Sequence, residues 1–342
     1  MDQNKEIAYI HLIRVIACFL VVSCHSMANL NFFPPSEFSE KLFVFLSSNV
    51  NMSCVPLFFM LTGILILPIK QPDTFSFYQK RIPRVLFPLL FWGIVYSLLP
   101  YLLGLYDCGT MWKELLLVPI KAPGMIGGIL WFLFVMIGLY LILPFLNPDI
   151  FSNQKKMMIY LSLWFVASIV FDLRRWNDEL LGATFKTKVD LFYYFGGFLG
   201  YLLLGNYLHH KYYQKTNLNK RKLYLIIFIL FISSIIFKKV FSTNNFLSFT
   251  SIMITISIFL FLQQIKLNTQ SKYYRVLKKI SELSFGIYLS HMVIYKCITE
   301  DIYYQIGSEW YIQISVIVLT FISAYLFTLL LSKLPFRKYI IG

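Results

Sequence analysis

The chain has 342 residues, of which 58% are hydrophobic and only 14% are charged, and its formal net charge is +15. A soluble domain averages about 25% charged residues, so this composition excludes an ordinary soluble protein and indicates one embedded in membrane lipid. The basic residues are spread over short loops between apolar runs. They form no stripe with interleaved aromatic residues, which excludes nucleic acid as a partner.

Ten apolar runs follow one another along the sequence. Because a backbone in lipid must satisfy its own hydrogen bonds, each run of about 20 residues is expected to be a helix. The predicted fold is therefore all-α, one polytopic membrane domain over residues 1–342. The second run is too long for one straight span and contains Asn49, Asn51 and Pro56, so it is expected either to begin outside the membrane or to be broken. The predicted spans are 8–30, 42–67, 82–104, 129–147, 157–172, 191–208, 223–241, 246–265, 280–298 and 310–332.

The distribution of Lys and Arg tests this topology. With ten spans and a cytoplasmic N-terminus, twenty of the 31 basic residues fall on the cytoplasmic side, ten fall outside, and Arg14 lies within a span. This bias predicts that the N- and C-termini are both cytoplasmic. Two longer outer loops are expected at 105–128 and 173–190, the first with a short interfacial helix around Trp112–Val118.

The first predicted helix carries two polar side chains that are unusual in a membrane span, Arg14 and His25. Eleven residues at 100° each come within about 20° of three full turns, so both side chains point along one face, roughly 16 Å apart along the axis. An intramembrane Arg normally faces protein or water. Snorkelling of Arg14 and a plain helix contact of His25 are the alternatives to a functional role.

A basic cluster lies where the third predicted span leaves the cytoplasm, in the sequence FYQKRIPRVLFP at 77–88. Arg81 and Arg84 form an i, i+3 pair, and Lys80 is next to them. Guanidinium groups bind phosphates well, so the cluster could be a phosphate clamp. Anchoring by the positive-inside rule explains it equally well.

These motifs resemble those of acyltransferase family 3, the membrane-bound O-acyltransferases of bacterial surface glycans. The spacing of Arg14 and His25 and the pair Arg81 and Arg84 match the family's pattern. Further likenesses, in the family's order, are VPLFFMLTGILIL at 55–67, LWFLFVMIGLYLILP at 130–144 and ISELSFGIYLSHMVIY at 280–295. In the family the first of these segments usually contains Ser-Gly, whereas this sequence has Thr62 before Gly63.

The resemblance implies a multi-pass enzyme of the cytoplasmic (inner) membrane. It implies an acyl-CoA donor, typically acetyl-CoA, and a hydroxyl acceptor on a glycan or lipid-linked sugar. His25 is then the expected general base, and Arg14 is expected to be catalytic as well. Arg14, Lys80, Arg81 and Arg84 are the residues expected at the CoA phosphates. No metal is expected in this chemistry.

Three other residues are expected to support the site. They are His291, Trp131 and Asn51, and each could instead be an ordinary structural residue. His209 and His210 fall in a basic cytoplasmic loop and are expected to be solvated. His11 lies about 60° from the Arg14 face and has a weaker claim to a role.

Two other classes of function remain open from the residues alone. A transporter or flippase of a glycan precursor would also need many helices and intramembrane polar residues. A purely structural membrane subunit leaves Arg14 without a purpose. The residues do not distinguish acetyl from succinyl donors, and they leave the acceptor and the oligomeric state open.

Overall fold

The computed structural model describes residues 7–27, 37–69, 73–124, 126–181, 190–213, 219–241, 245–300 and 309–342. Every regular element in those ranges is a helix. The α-helices are α1 (Ala8–Ser26), α2 (Phe38–Asn51), α3 (Cys54–Ile66), α4 (Thr74–Arg81), α5 (Pro83–Leu102), α6 (Cys108–Leu117), α7 (Trp131–Ile142), α8 (Asp149–Ser152), α9 (Gln154–Leu181), α10 (Asp190–Leu208), α11 (Lys220–Phe241), α12 (Phe249–Gln263), α13 (Lys272–Ile294), α14 (Trp310–Leu331) and α15 (Arg337–Ile340). Turns of 3₁₀-helix flank α7 at Gly127–Leu130 and Leu143–Phe145, and π-turns extend α10 over His209–Tyr213 and α13 over Tyr295–Thr299.

Within the described part of the chain, six helical stretches are long and apolar enough to cross a bilayer. This confirms a helical protein of multi-pass membrane character, while the total of ten spans and the side of each terminus stay predictions. The six stretches are Ala8–Ser26, Glu40–Ile66, Thr74–Leu102, Gly127–Phe145, Lys220–Val240 and Trp310–Leu331.

Of the two alternatives for the second predicted span, the structure shows a break. Helix α2 ends at Asn51 and α3 begins at Cys54. Pro56 lies in the first turn of α3, where the backbone N–H that proline lacks would have no partner within the helix. A second break separates α4 from α5 at Ile82, before Pro83. Proline suits the first position of a helix for the same reason.

Two predicted boundaries were wrong. Residues 173–181 were assigned to an outer loop, but α9 remains helical to Leu181. Its polar end has Arg and acidic residues four apart, a spacing that supports a helix without apolar character. Helix α13 likewise begins at Lys272, before the predicted start at 280. The rest of the loop at 173–190 lies largely outside the described residues.

The short helix predicted in the outer loop 105–128 is present as α6. Asp107 caps its N-terminus, accepting a hydrogen bond from the backbone N–H of Thr110 at 2.6 Å. Such caps satisfy one of the otherwise unpaired N–H groups of the first turn. The hydrogen bond also holds the pKa of Asp107 below its usual value.

The chain divides into two compact units. The first comprises residues 1–21, 42–70 and 146–281, and the second comprises 22–41, 71–145 and 282–342. In the first unit, α3 and α10 pack at two glycines. A Cβ on Gly63 would lie 1.9 Å from the carbonyl oxygen of Leu202, and one on Gly205 would lie 2.2 Å from that of Met60. Small residues of this kind let membrane helices approach closely.

In the second unit, α5 makes two buried hydrogen bonds to the C-terminal helices. The indole Nε1 of Trp92 donates a hydrogen bond to the backbone carbonyl of Ile340 at 2.8 Å. The hydroxyl of Tyr96 donates one to the backbone carbonyl of Leu289 at 2.6 Å. A buried Trp or Tyr needs such a partner for its polar group. The second bond anchors α13 two residues before His291.

Candidate functional site

The second unit brings His25 of α1 next to His291 of α13. Their ring centroids are 5.3 Å apart and the ring planes are inclined by 43°. His291 is 0% exposed, whereas His25 is half-buried. Two candidate residues that are far apart in the sequence therefore meet, with His25 the more accessible of the two.

A hydrogen bond to the backbone orients the ring of His291. Its Nδ1 lies 2.6 Å from the carbonyl oxygen of Tyr288. A carbonyl can only accept, so Nδ1 carries the proton and Nε2 of a neutral ring carries the lone pair. Nε2 is buried and has no hydrogen-bond partner among the described residues.

Tyr288 links α13 to the turn that precedes α7. Its hydroxyl donates to the carbonyl of Ile129, and its ring packs against Phe132 with centroids 5.6 Å apart. Trp131 follows in the same segment, is half-buried, and packs edge-to-face on Phe132 at 6.5 Å. The aromatic residues around Trp131 are thus connected to the helix that carries His291.

The basic cluster of the second unit lies on both sides of the break at Ile82. Lys80 and Arg81 end α4, and Arg84 lies in the first turn of α5. Lys80 and Arg84 are exposed, while Arg81 is half-buried. The Nε of Arg81 is buried without a hydrogen-bond partner in the described ranges. The cluster presents cations to solvent and one guanidinium turned inward.

The helix that carries this cluster is capped at its start. The carboxylate of Asp73 accepts a hydrogen bond from the backbone N–H of Ser76 at 2.6 Å and another from the Ser76 hydroxyl at 3.1 Å. These bonds lower the pKa of Asp73 below its usual value. The cap therefore holds α4 in place at neutral pH, where the carboxylate is charged.

A cavity of about 570 Å³ opens beside Arg84. Arg84 and Lys338 supply two cations, and Phe87 and Tyr339 supply two aromatic rings that pack edge-to-face at 5.0 Å. The Nζ of Lys338 lies 4.8 Å from the ring centroid of Tyr339. Cations beside aromatic faces suit a ligand that joins phosphate groups to a planar ring.

Two of the predicted site residues belong to the first unit. Arg14 is half-buried on α1, and Asn51 is 3% exposed at the end of α2. His11 of the same unit contacts α13, since its Nδ1 lies 2.9 Å from the hydroxyl of Ser281 and its ring packs edge-to-face on Tyr274.

The prediction that His209 is solvated was wrong. His209 is 6% exposed, and its Nδ1 lies 2.6 Å from the hydroxyl of Tyr9. Its ring also stacks on Tyr213, with centroids 5.3 Å apart. Burial, with a smaller contribution from His210, lowers the pKa of His209 to about 4. Its neighbour His210 is exposed, as predicted.

Sequence reasoning missed two residues of the second unit. The sequence around Tyr288 contains no feature that predicts its role, apart from its place in the motif that contains His291. Lys338 was counted only as topogenic charge, although the run Arg337–Tyr339 places two cations next to an aromatic residue.

The chain matches the family model of an acyltransferase domain, that of acyltransferase family 3, over residues 7–331. The match covers nearly the entire chain and includes both units. No curated protein and no solved structure matches the chain significantly. The paired histidines and the basic cluster thus occur in a chain that belongs to acyltransferase family 3, a family of membrane acyltransferases.

Proposed function

We propose that the protein is an O-acetyltransferase that moves an acetyl group from acetyl-CoA to a hydroxyl of a glycan or lipid-linked sugar. The observation that carries this proposal is the placement of a half-buried His25 beside His291 in a chain that matches the acyltransferase family over 7–331. A half-buried imidazole suits general base catalysis.

In the proposed reaction, His25 takes the proton from the acceptor hydroxyl as its oxygen attacks the thioester carbonyl. The carbon–oxygen bond forms and the carbon–sulfur bond breaks. The departing CoA thiolate takes the proton back from His25. The products are an acetyl ester and CoA, and His25 returns to its neutral form without a metal or a redox step.

The donor is assigned to the basic residues of the second unit. Lys80, Arg81 and Arg84 would bind the CoA phosphates, and the cavity beside Arg84 and Lys338 supports this assignment by pairing cations with aromatic rings. Bidentate guanidinium contacts suit phosphate. The assignment of Arg14 to the donor, and of Trp131 to a supporting role, rests on the motif pattern. The supporting role of Asn51 rests only on its polar side chain and its place in the second predicted span.

The proposed arrangement in the membrane follows the charge distribution. Ten spans with both termini in the cytoplasm of an inner-membrane protein would place the cluster at 80–84 on the side from which acetyl-CoA arrives. The acceptor class follows from the family resemblance.

The test uses the purified full chain in liposomes with radiolabelled acetyl-CoA, with and without a polyprenyl-linked sugar. The expected result is release of CoA together with base-labile label on the sugar. His25→Ala should abolish both, and His210→Ala, at an exposed histidine, should abolish neither.

The rival function in a membrane is transport of a glycan precursor without acyl chemistry. Movement of the sugar across the bilayer with no cleavage of acetyl-CoA would establish that rival and overturn the proposal.

A further inference from the structure

The Nε2 nitrogen of His291 is a buried hydrogen-bond acceptor without a donor in the described part of the chain. Its Nδ1 donates to the Tyr288 carbonyl at 2.6 Å, which leaves the lone pair on Nε2. The side chain is 0% exposed, and Nε2 has no hydrogen-bond partner in the described part of the chain. Burying an unsatisfied acceptor costs free energy, so such atoms in a native structure call for a functional explanation.

The ring of His25 is a polar group within reach of that nitrogen. The two centroids are 5.3 Å apart. A ring nitrogen lies about 1.1 Å from its own centroid, so nitrogens on facing edges can come within about 3 Å, the distance of a hydrogen bond. The described residues give Nε2 of His291 no hydrogen-bond partner, so the contact requires the half-buried His25 ring to rotate.

Two hydrogen bonds hold the backbone of α13 in place next to His291. Tyr288 is held by its hydroxyl on the Ile129 carbonyl, and the Tyr96 hydroxyl holds the Leu289 carbonyl. The ring of His291 therefore has a defined position in the second unit.

We propose that His291 is the positioning residue for His25. Its Nε2 accepts the N–H from one ring nitrogen of His25, which places the lone pair of His25 on the opposite nitrogen, the one that faces the acceptor hydroxyl. A base held by a second group in this way is a recurring arrangement in acyl transfer. A neutral imidazole fills the role without burying a carboxylate charge. This inference rests on the proposed function of His25.

Two substitutions separate this role from simple packing. In His291→Asn, the amide N–H₂ can still donate to the Tyr288 carbonyl, but no acceptor remains at the position of Nε2. In His291→Gln, the longer side chain can present its amide oxygen near that position. The positioning role predicts that Gln retains activity and Asn does not. A role limited to the Tyr288 contact predicts the reverse.

The first measurement is CoA release from acetyl-CoA by the purified full chain and both variants. We expect His291→Asn to lower kcat by at least about tenfold, the usual effect of losing an orienting partner, with KM for acetyl-CoA unchanged. His291→Gln should stay within about threefold of the wild type. Full activity of His291→Asn would overturn the proposal. A wild type without turnover that depends on His25 would instead refute the proposed function.

The second measurement does not depend on activity. Nitrogen-15 NMR of the wild-type protein labelled at histidine reports which ring nitrogen carries each proton. His25→Ala identifies the His25 signals and His291→Gln those of His291. The expected result is a single tautomer for His25 and a protonated Nδ1 for His291. Exchange of His25 between tautomers would contradict the proposal even if both His291 variants fail to fold, because the His25 signals are assigned with His25→Ala. A protonated Nε2 on His291 would contradict it as well.

Discussion

The imidazole rings of His25 and His291 lie 5.3 Å apart, centroid to centroid, although they belong to α1 and α13. His291 is fully buried and bonded to the backbone, while His25 is half-buried. This asymmetry divides the roles, because the accessible ring can meet a substrate and the fixed ring can orient it. The chemistry we assign to this member of acyltransferase family 3 depends on that division.

The cavity beside Arg84 and Lys338 should contribute donor affinity and not the chemical step. Arg84→Gln or Lys338→Gln each removes a charge-assisted contact and is expected to raise KM for acetyl-CoA by about tenfold with kcat unchanged. Lys333→Gln, at an exposed Lys outside the cavity lining, is the matched control. Steady-state kinetics with acetyl-CoA checks this, and a fall in kcat at constant KM would contradict it.

The hydroxyl of Tyr288 should stabilise the site beyond the packing of its ring. Tyr288→Phe keeps the ring but leaves the Ile129 carbonyl without this donor, which should cost about 1–3 kcal/mol of unfolding free energy. Tyr273→Phe, at a residue that is 87% exposed, should have no measurable effect. Thermal unfolding of both variants in detergent makes the comparison, and equal Tm values would show that the hydroxyl is unimportant.

The packing of α3 on α10 should tolerate no methyl group at its two glycines. A Cβ at Gly63 or Gly205 would overlap the backbone of the facing helix. Gly63→Ala and Gly205→Ala are each expected to cost about 1–3 kcal/mol through overpacking. Gly128→Ala introduces the same group where no atom lies within 4 Å. The measurement is Tm in detergent, and a loss at Gly128 as large as that at the other two would refute the packing account.

The buried His209 should make stability fall in mild acid. Its pKa is lowered to about 4 in the folded protein from an ordinary value of 6.5, so the unfolded chain binds its proton more readily. The contribution of this group is fully present above pH 6.5 and is lost as the pH falls towards 4.

The corresponding variant is His209→Gln, whose amide can still hydrogen-bond the Tyr9 hydroxyl but does not titrate. Its Tm should fall less between pH 7.5 and 5 than that of the wild type. His210→Gln alters the exposed neighbour and should behave like the wild type. An identical pH dependence of wild type and His209→Gln would contradict this prediction.

Much of the helical fold could be predicted from the apolar runs, since a lipid-embedded backbone has few other options. The break before α3 was also predictable, from the polar residues and Pro56. The extension of α9 to Leu181 was not, because its polar end looks like a loop to any argument based on hydropathy. Arg and acidic residues spaced four apart are compatible with a helix there, although the segment has no apolar character.

The candidate site was predictable residue by residue but not as an arrangement. Spacing along one helix could select His25, and a motif could select His291. Their contact depends on how α1 and α13 pack, which no local pattern encodes. The same holds for His209, which was assigned to solvent from its basic neighbours but is buried against Tyr9.

The most direct test of the central claim is the rate of CoA release from acetyl-CoA by wild type, His25→Ala and His210→Ala, compared at equal folded concentration. We predict that His25→Ala loses at least about a hundredfold in kcat, the usual contribution of a general base. His210→Ala should match the wild type. Full CoA release by a folded His25→Ala variant would contradict the account, because His25 could not then be the base.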